Sequence, residues 1–96
     1  MSSTLVDIGS LITTRSDVQS GRPIIAGTAT SVRTIAAMYK RGDTTEDIAD
    51  AKDYLSLAQV HAALAYYHAN KAAIDQDLAE EDALYDRLAA QARSKP

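Results

Sequence analysis

No cysteine, tryptophan or phenylalanine occurs among the 96 residues, and proline and glycine are sparse, at two and four. Without cysteine, disulfides and thiolate metal sites are excluded, although an intracellular address follows only weakly from that. Without tryptophan and phenylalanine, the five tyrosines carry all aromatic packing, supported by Ile, Leu, Val and many Ala. Nowhere do 18 apolar residues follow one another, and no basic cluster leads an apolar run in the first twelve. Neither a membrane span nor a secretory signal is expected, and a soluble cytoplasmic protein is the default.

What remains is 46% hydrophobic, enough for one domain with a small core that a partner would help to stabilise. The expected organisation is an arm over residues 1–10, a folded core over 11–70 and an extension over 71–96. Alanine abundance and close apolar spacing favour helix. The net charge of −3 is unevenly spread. Residues 1–42 carry Arg15, Arg22, Arg33, Lys40 and Arg41 against Asp7 and Asp17, whereas residues 43–70 carry Asp43, Glu46, Asp47, Asp50 and Asp53 against Lys52. Such polarity serves self-association or a charged partner, or is simply two solvated faces.

Leu11, Ile12 and Thr13 read as a short strand, and Pro23 to Ala26 as a second, with the polar Ser16–Gly21 stretch as the loop between them. Pro23 lacks a backbone donor, so it starts its strand or lies on an edge. Gly27 ends that strand in a conformation a side chain would obstruct. A first helix over Val32–Arg41 is signalled by Val32, Ile35, Ala36 and Tyr39 on one face, with Thr30 or Ser31 as cap and Gly42 as stop. Arg33, Lys40 and Arg41 stripe its other side. Thr44 with Asp47 three residues on starts a second helix over Thr45–Ala51 that buries Ile48 and Ala51, and Ser56 caps a third over Leu57–Ala69.

From Leu57 an apolar stripe runs through Val60, Leu64 and Tyr67, then Ile74, Leu78, Tyr85, Leu88 and Ala92, with Lys71 and Glu81 interrupting it. Read as one helix it is on the order of 50 Å long. A break at Asn70-Lys71 is the equal alternative. Either way, the segment after Asn70 has an apolar face and little protein in its own chain to cover it.

The succession of Gly21, Pro23, Ile25, Gly27 and Thr28, then Gly42, Ile48, Val60, Ala63, Leu64 and Tyr66 or Tyr67 resembles a known family, the domain of unknown function numbered 433, over roughly Ile12 to Ile74. The family pattern is a Gly-x-Pro-x-Ile-x-Gly-Thr strand and turn, a helix ending in Gly, a short acidic helix and a Val-x-x-Ala-Leu-x-Tyr helix. Where the family commonly continues with Arg-Ile-Pro-Val, this chain has Ala29-Thr30-Ser31-Val32, so a hydroxyl must start the helix in place of a proline. The resemblance implies a mainly α fold, a tri-helical, helix-turn-helix-like core behind a small N-terminal β-hairpin. It also implies similarity to VapB-type antitoxins encoded beside PIN-domain ribonuclease toxins.

A helix-turn-helix raises the question of DNA. In the third helix Ala58, Gln59, Ala62 and His61 are the expected exposed positions, and Gln59 alone reads a base edge. The acidic second helix repels phosphates, so DNA contact falls instead to Arg15, Arg22, Arg33, Lys40 and Arg41. His61 and His68 stand seven residues apart without a third ligand and read as partly buried or interface groups. The Gly21–Gly27 spacing lacks the Gly-Lys-Ser/Thr ending of a P-loop. Asp75, Asp77, Glu80, Glu81 and Asp82 read as a solvated or partner-facing surface. No nucleophile and base assemble, so neither an enzyme nor a bound cofactor is expected.

The leading expectation is an antitoxin-like module that wraps a PIN-domain toxin with Ile74, Leu78, Leu84, Tyr85 and Leu88, helix in groove. The alternatives are a stand-alone DNA-binding regulator and a structural homodimer whose long helices pack across a two-fold axis. Because a lone hairpin is marginal in water, the hairpin is expected to join a second copy in an intersubunit sheet.

Overall fold

The computed structural model describes residues 5–94. A 3-10 turn at Ile8–Leu11 leads into strand β1 (Ile12–Thr13), which pairs antiparallel with β2 (Ile24–Ile25), Ile12 opposite Ile25 and Thr13 opposite Ile24, with a second 3-10 turn at Gln19–Gly21 between them. Four helices follow, α1 (Val32–Lys40), α2 (Thr45–Ala51), α3 (Leu57–Ala69) and α4 (Lys71–Ser94). The fold is mainly helical with a small N-terminal hairpin, as the residues predict. The strands are shorter than expected because Leu11 closes the 3-10 turn and Pro23 and Ala26 lie outside the ladder.

Local chemistry sets most boundaries. Gly27 sits at φ 80° and Gly42 at φ 106°, left-handed positions that glycine adopts without the Cβ clash, and they close β2 and α1. The Ser31 side chain accepts from the Thr34 N–H and starts α1. Thr44 with Asp47 and Ser56 with Gln59 form reciprocal capping boxes at α2 and α3, satisfying backbone donors that the first helical turns leave open. Asn70 (φ −128°, ψ 35°) breaks the long stripe. Its N–H and side-chain amide both donate to the Tyr66 carbonyl, and its own carbonyl accepts from the Ile74 N–H, so one residue ends α3 and opens α4.

The core gathers Ile25, Val32, Ile35, Ala36, Met38, Ile48, Leu55, Val60, Ala63, Leu64, Tyr67 and Ile74. α3 is its hub, packed against α1, α2, the Ile8–Leu11 turn and both strands. This surrounds it on several sides and buries Ala62, which the sequence places on the surface, whereas Leu57 at the helix start is partly exposed. Tyr39, expected inside, is 42% exposed. It stands in the last turn of α1, where its ring reaches past the core to lie edge-on against Tyr67 and His68, and Met38 points inward. α2 turns its Ile48 and Ala49 side to the core, leaving Ala51 exposed. His61 and His68 are both exposed.

An intersubunit sheet of the kind expected would have to form on β1. β2 is flanked by β1 on one side and by the run into α1 on the other, where the Ile25 N–H donates to the Thr30 carbonyl and the Val32 N–H to the Pro23 carbonyl. Among the described residues, the free outer edge of the sheet is that of the two-residue β1. The molecule measures 68 × 29 × 24 Å with a radius of gyration of 15.8 Å, against about 12 Å for a compact chain of this length. The excess is α4, which at 24 residues is about 36 Å long and outruns the core.

Ser56→Ala removes the acceptor of a capping box and is expected to destabilise the fold by about 1 kcal/mol in urea unfolding, with the denaturant dependence unchanged.

Candidate functional site

α4 packs against α1, and a set of ion pairs holds its first three turns there. Asp77 is gripped from two sides. Arg22 Nε donates to its Oδ2 at 2.8 Å and Arg33 Nη1 to its Oδ1 at 3.2 Å, while Arg33 Nη2 reaches Glu81 at 2.8 Å. Two turns away along α1, Lys40 Nζ donates to Asp75 at 2.9 Å, and the buried Tyr67 hydroxyl donates to the same oxygen at 2.8 Å. Asp77 and Glu81 are four residues apart and so share a face, and Arg33 spans both. Arg33 is 16% exposed and Asp77 24%, so water screens this part of the clasp least.

The electrostatics follow. The Arg22 hydrogen bond, reinforced by Arg33, holds the Asp77 carboxyl below the usual carboxylate range. Lys40 and then Tyr67 do the same for Asp75, and Lys40 is raised in turn by its hydrogen bond to Asp75. Burial, helped by Asp75, pushes the Tyr67 hydroxyl up.

The sequence-predicted site residues divide accordingly. Of the five cations proposed for DNA, Arg22, Arg33 and Lys40 grip α4, while Arg15 pairs with Asp17 at 3.1 Å and Arg41 with Asp43 at 2.8 Å. Gln59 directs its side-chain oxygen to the Ser56 N–H at 2.7 Å. The acids read as solvated or partner-facing are largely structural, since Asp75, Asp77 and Glu81 are the clasp. A signal for it lay in the sequence, because Arg33 and Lys40 are two helical turns apart and Asp75 and Glu81 nearly so on the later helix.

Of the five residues expected to meet a partner, Ile74 is only 7% exposed and belongs to the core, and Leu78 is half-buried against it. Packing of α4 against α1 and α3 covers these first turns. Past Glu81 the core ends, and Leu84, Tyr85 and Leu88 are 48%, 74% and 55% exposed. The candidate site is this overhang.

Among the described residues, no three metal-ligating side chains converge, and no buried side-chain polar atom lacks a hydrogen-bond partner. The cleft between the overhang and the body, about 540 Å³, is lined by the mutually paired Arg22, Arg33, Asp77 and Glu81 together with Glu80, Leu84 and Arg87. Among the described residues no helix is long and apolar enough to cross a membrane.

This order of hairpin and three helices matches the family model described as "Protein of unknown function (DUF433)" over residues 12–67. The chain belongs to the DUF433 family. It is similar to the crystal structure of a DUF433 member protein from Anabaena variabilis, at 26% identity and a TM-score of 0.68, over 73% of this chain and 69% of that one. No curated protein matches the chain. The DUF433 match takes in Arg22, Arg33 and Lys40 but ends at Tyr67. The α4 acids and the overhang therefore lie beyond it.

For Asp77 the folded pKa lies below the unfolded value, so the stability it contributes is complete above about pH 4 and is lost as the pH falls through the lower folded value. Asp77→Asn is expected to cost about 1 kcal/mol at neutral pH. In urea titrations at neutral and strongly acidic pH, the gap between wild type and variant closes in acid.

Proposed function

We propose that this DUF433 protein is an antitoxin-like binding module whose overhanging α4 turns dock into an apolar groove of a PIN-domain ribonuclease and block it without turnover. The observation that carries this reading is the position of Leu84, Tyr85 and Leu88. They are large, apolar and exposed, on a helix already held in place by the clasp. Helix-in-groove recognition reads such anchors at three- and four-residue spacing. The choice of ribonuclease rests on the family resemblance. Glu80, Asp82 and Asp86 stand beside these anchors and suit the basic surface of an RNA-cleaving enzyme.

The DNA-regulator reading draws less support. Each of Arg15, Arg22, Arg33, Lys40 and Arg41 already has a carboxylate partner that a phosphate would have to displace. α3, the helix that would enter the major groove, turns Ala58, His61, Ala65 and His68 outward but carries no lysine or arginine to meet phosphates.

The test is inhibition of a PIN-domain ribonuclease encoded beside this chain. Removing residues 71–96 would strip Ile74 and the clasp from the core, so the informative variant is Leu84→Asp with Leu88→Asp, which leaves both intact. Wild type is expected to bind the nuclease and suppress RNA cleavage, and the variant to lose roughly a hundredfold or more in affinity while keeping its circular dichroism spectrum. Undiminished inhibition by the variant refutes docking through the overhang.

A further inference from the structure

Along α4 the charges fall into two blocks. From Asp75 to Asp86 every charged residue is acidic, whereas from Arg87 to the end of the described helix the charged residues, Arg87 and Arg93, are basic. At 100° per residue, Tyr85, Leu88 and Ala92 fall on the same side as Ile74 and Leu78, with Leu84 at the margin of that side. The overhang thus continues the stripe that the core covers two turns earlier.

We propose that in the free protein a second copy of this chain covers the overhang, the two α4 helices crossing antiparallel about a two-fold axis close to Tyr85. The charge pattern selects both occupant and direction. Antiparallel pairing sets the Glu80 to Asp82 turn of one helix beside the Arg87 to Arg93 stretch of the other, and the two-fold axis repeats the match. Parallel pairing sets like charge beside like. A second copy brings the complementary pattern by construction, whereas a foreign partner has to supply it. The hairpin is the weaker route, because β2 is flanked on both sides within its own chain and β1 offers an edge of two residues.

Three large side chains from each copy fall short of the roughly 800 Å² per partner of a standard stable interface, so the dimer is weak and reversible. The inference does not rest on the ribonuclease reading. Where both hold, the nuclease displaces the second copy from the same face.

Sedimentation equilibrium of the full chain from about 10 to about 500 µM spans the range of such a small interface. A monomer–dimer equilibrium is expected for wild type, and a monomer throughout for Leu88→Asp with its helical content retained. Arg87→Glu is expected to weaken association by roughly tenfold, and adding Glu80→Arg to restore it. Because the chain has no cysteine, Ala92→Cys carries a single nitroxide label. Its pairwise distance is expected at about 20 Å or more in the antiparallel pair, against about 10 Å in a parallel one. A wild-type monomer at every concentration overturns the proposal and leaves the face to a foreign protein. A dimer indifferent to Leu88→Asp, or a label distance near the shorter value, overturns it as well. None of these outcomes bears on nuclease inhibition, which is measured separately.

Discussion

Asp77 joins three parts of the chain that are far apart in sequence. Arg22 approaches it from two residues before β2, Arg33 from the first turn of α1, and Asp77 itself stands in the second turn of α4, 55 and 44 residues further on. The apolar contribution of α4 to the core is slight, since Ile74 is buried and Leu78 only half so. Two side chains in line leave a helix free to roll and slide. Guanidinium groups prefer defined, planar geometry with carboxylates, which a lysine at either position would not impose. The fork at Asp77, with Arg33 carried on to Glu81 and Lys40 on Asp75, therefore fixes the axial position and rotation of α4. The direction of the overhang depends on it.

The turn that makes this possible is equally local. At Asn70 the chain leaves helical geometry for one residue, and the amide side chain answers a carbonyl that the end of α3 leaves open. A straight helix through this point would carry Asp75 and Asp77 away from α1. Asn70 therefore determines whether the cations of the first half find the acids of the last quarter.

Much of the fold was legible because its punctuation is short-range. Thr44 with Asp47, Ser56 with Gln59, and the left-handed Gly27 and Gly42 act within four residues, and each marks its boundary where the sequence places it. Rotation about a helix axis was less legible, because it depends on neighbours that no window contains. Tyr39 has the spacing of a core residue yet lies at the end of α1 with His68 and Tyr67 to lean on, and Ala62 is buried because α3 is enclosed on several sides. The charge asymmetry was visible but its partners were not. The cations of residues 1–42 stood out against the acids of 43–70, whereas Arg22, Arg33 and Lys40 skip those and reach Asp75, Asp77 and Glu81. In the candidate site, the stripe was read as one surface, and only the end of the core beneath it separates Ile74 and Leu78 from Leu84, Tyr85 and Leu88.

That division gives one helix two physical regimes. An isolated helix as short as the overhang would be marginal in water, because nucleating its first turn is costly. Here nucleation has already occurred in the clasped turns, and the overhang only propagates what Asp75, Asp77 and Ile74 hold against the DUF433 core. A partner that takes Leu84, Tyr85 and Leu88 then meets a formed surface and is spared most of the ordering entropy that a flexible tail would impose. Substitutions before Glu81 act on how well the helix is held, and those after it on what the helix can hold. The two are coupled through rigidity, since any loosening of Asp77 returns to the overhang the conformational freedom that binding must remove.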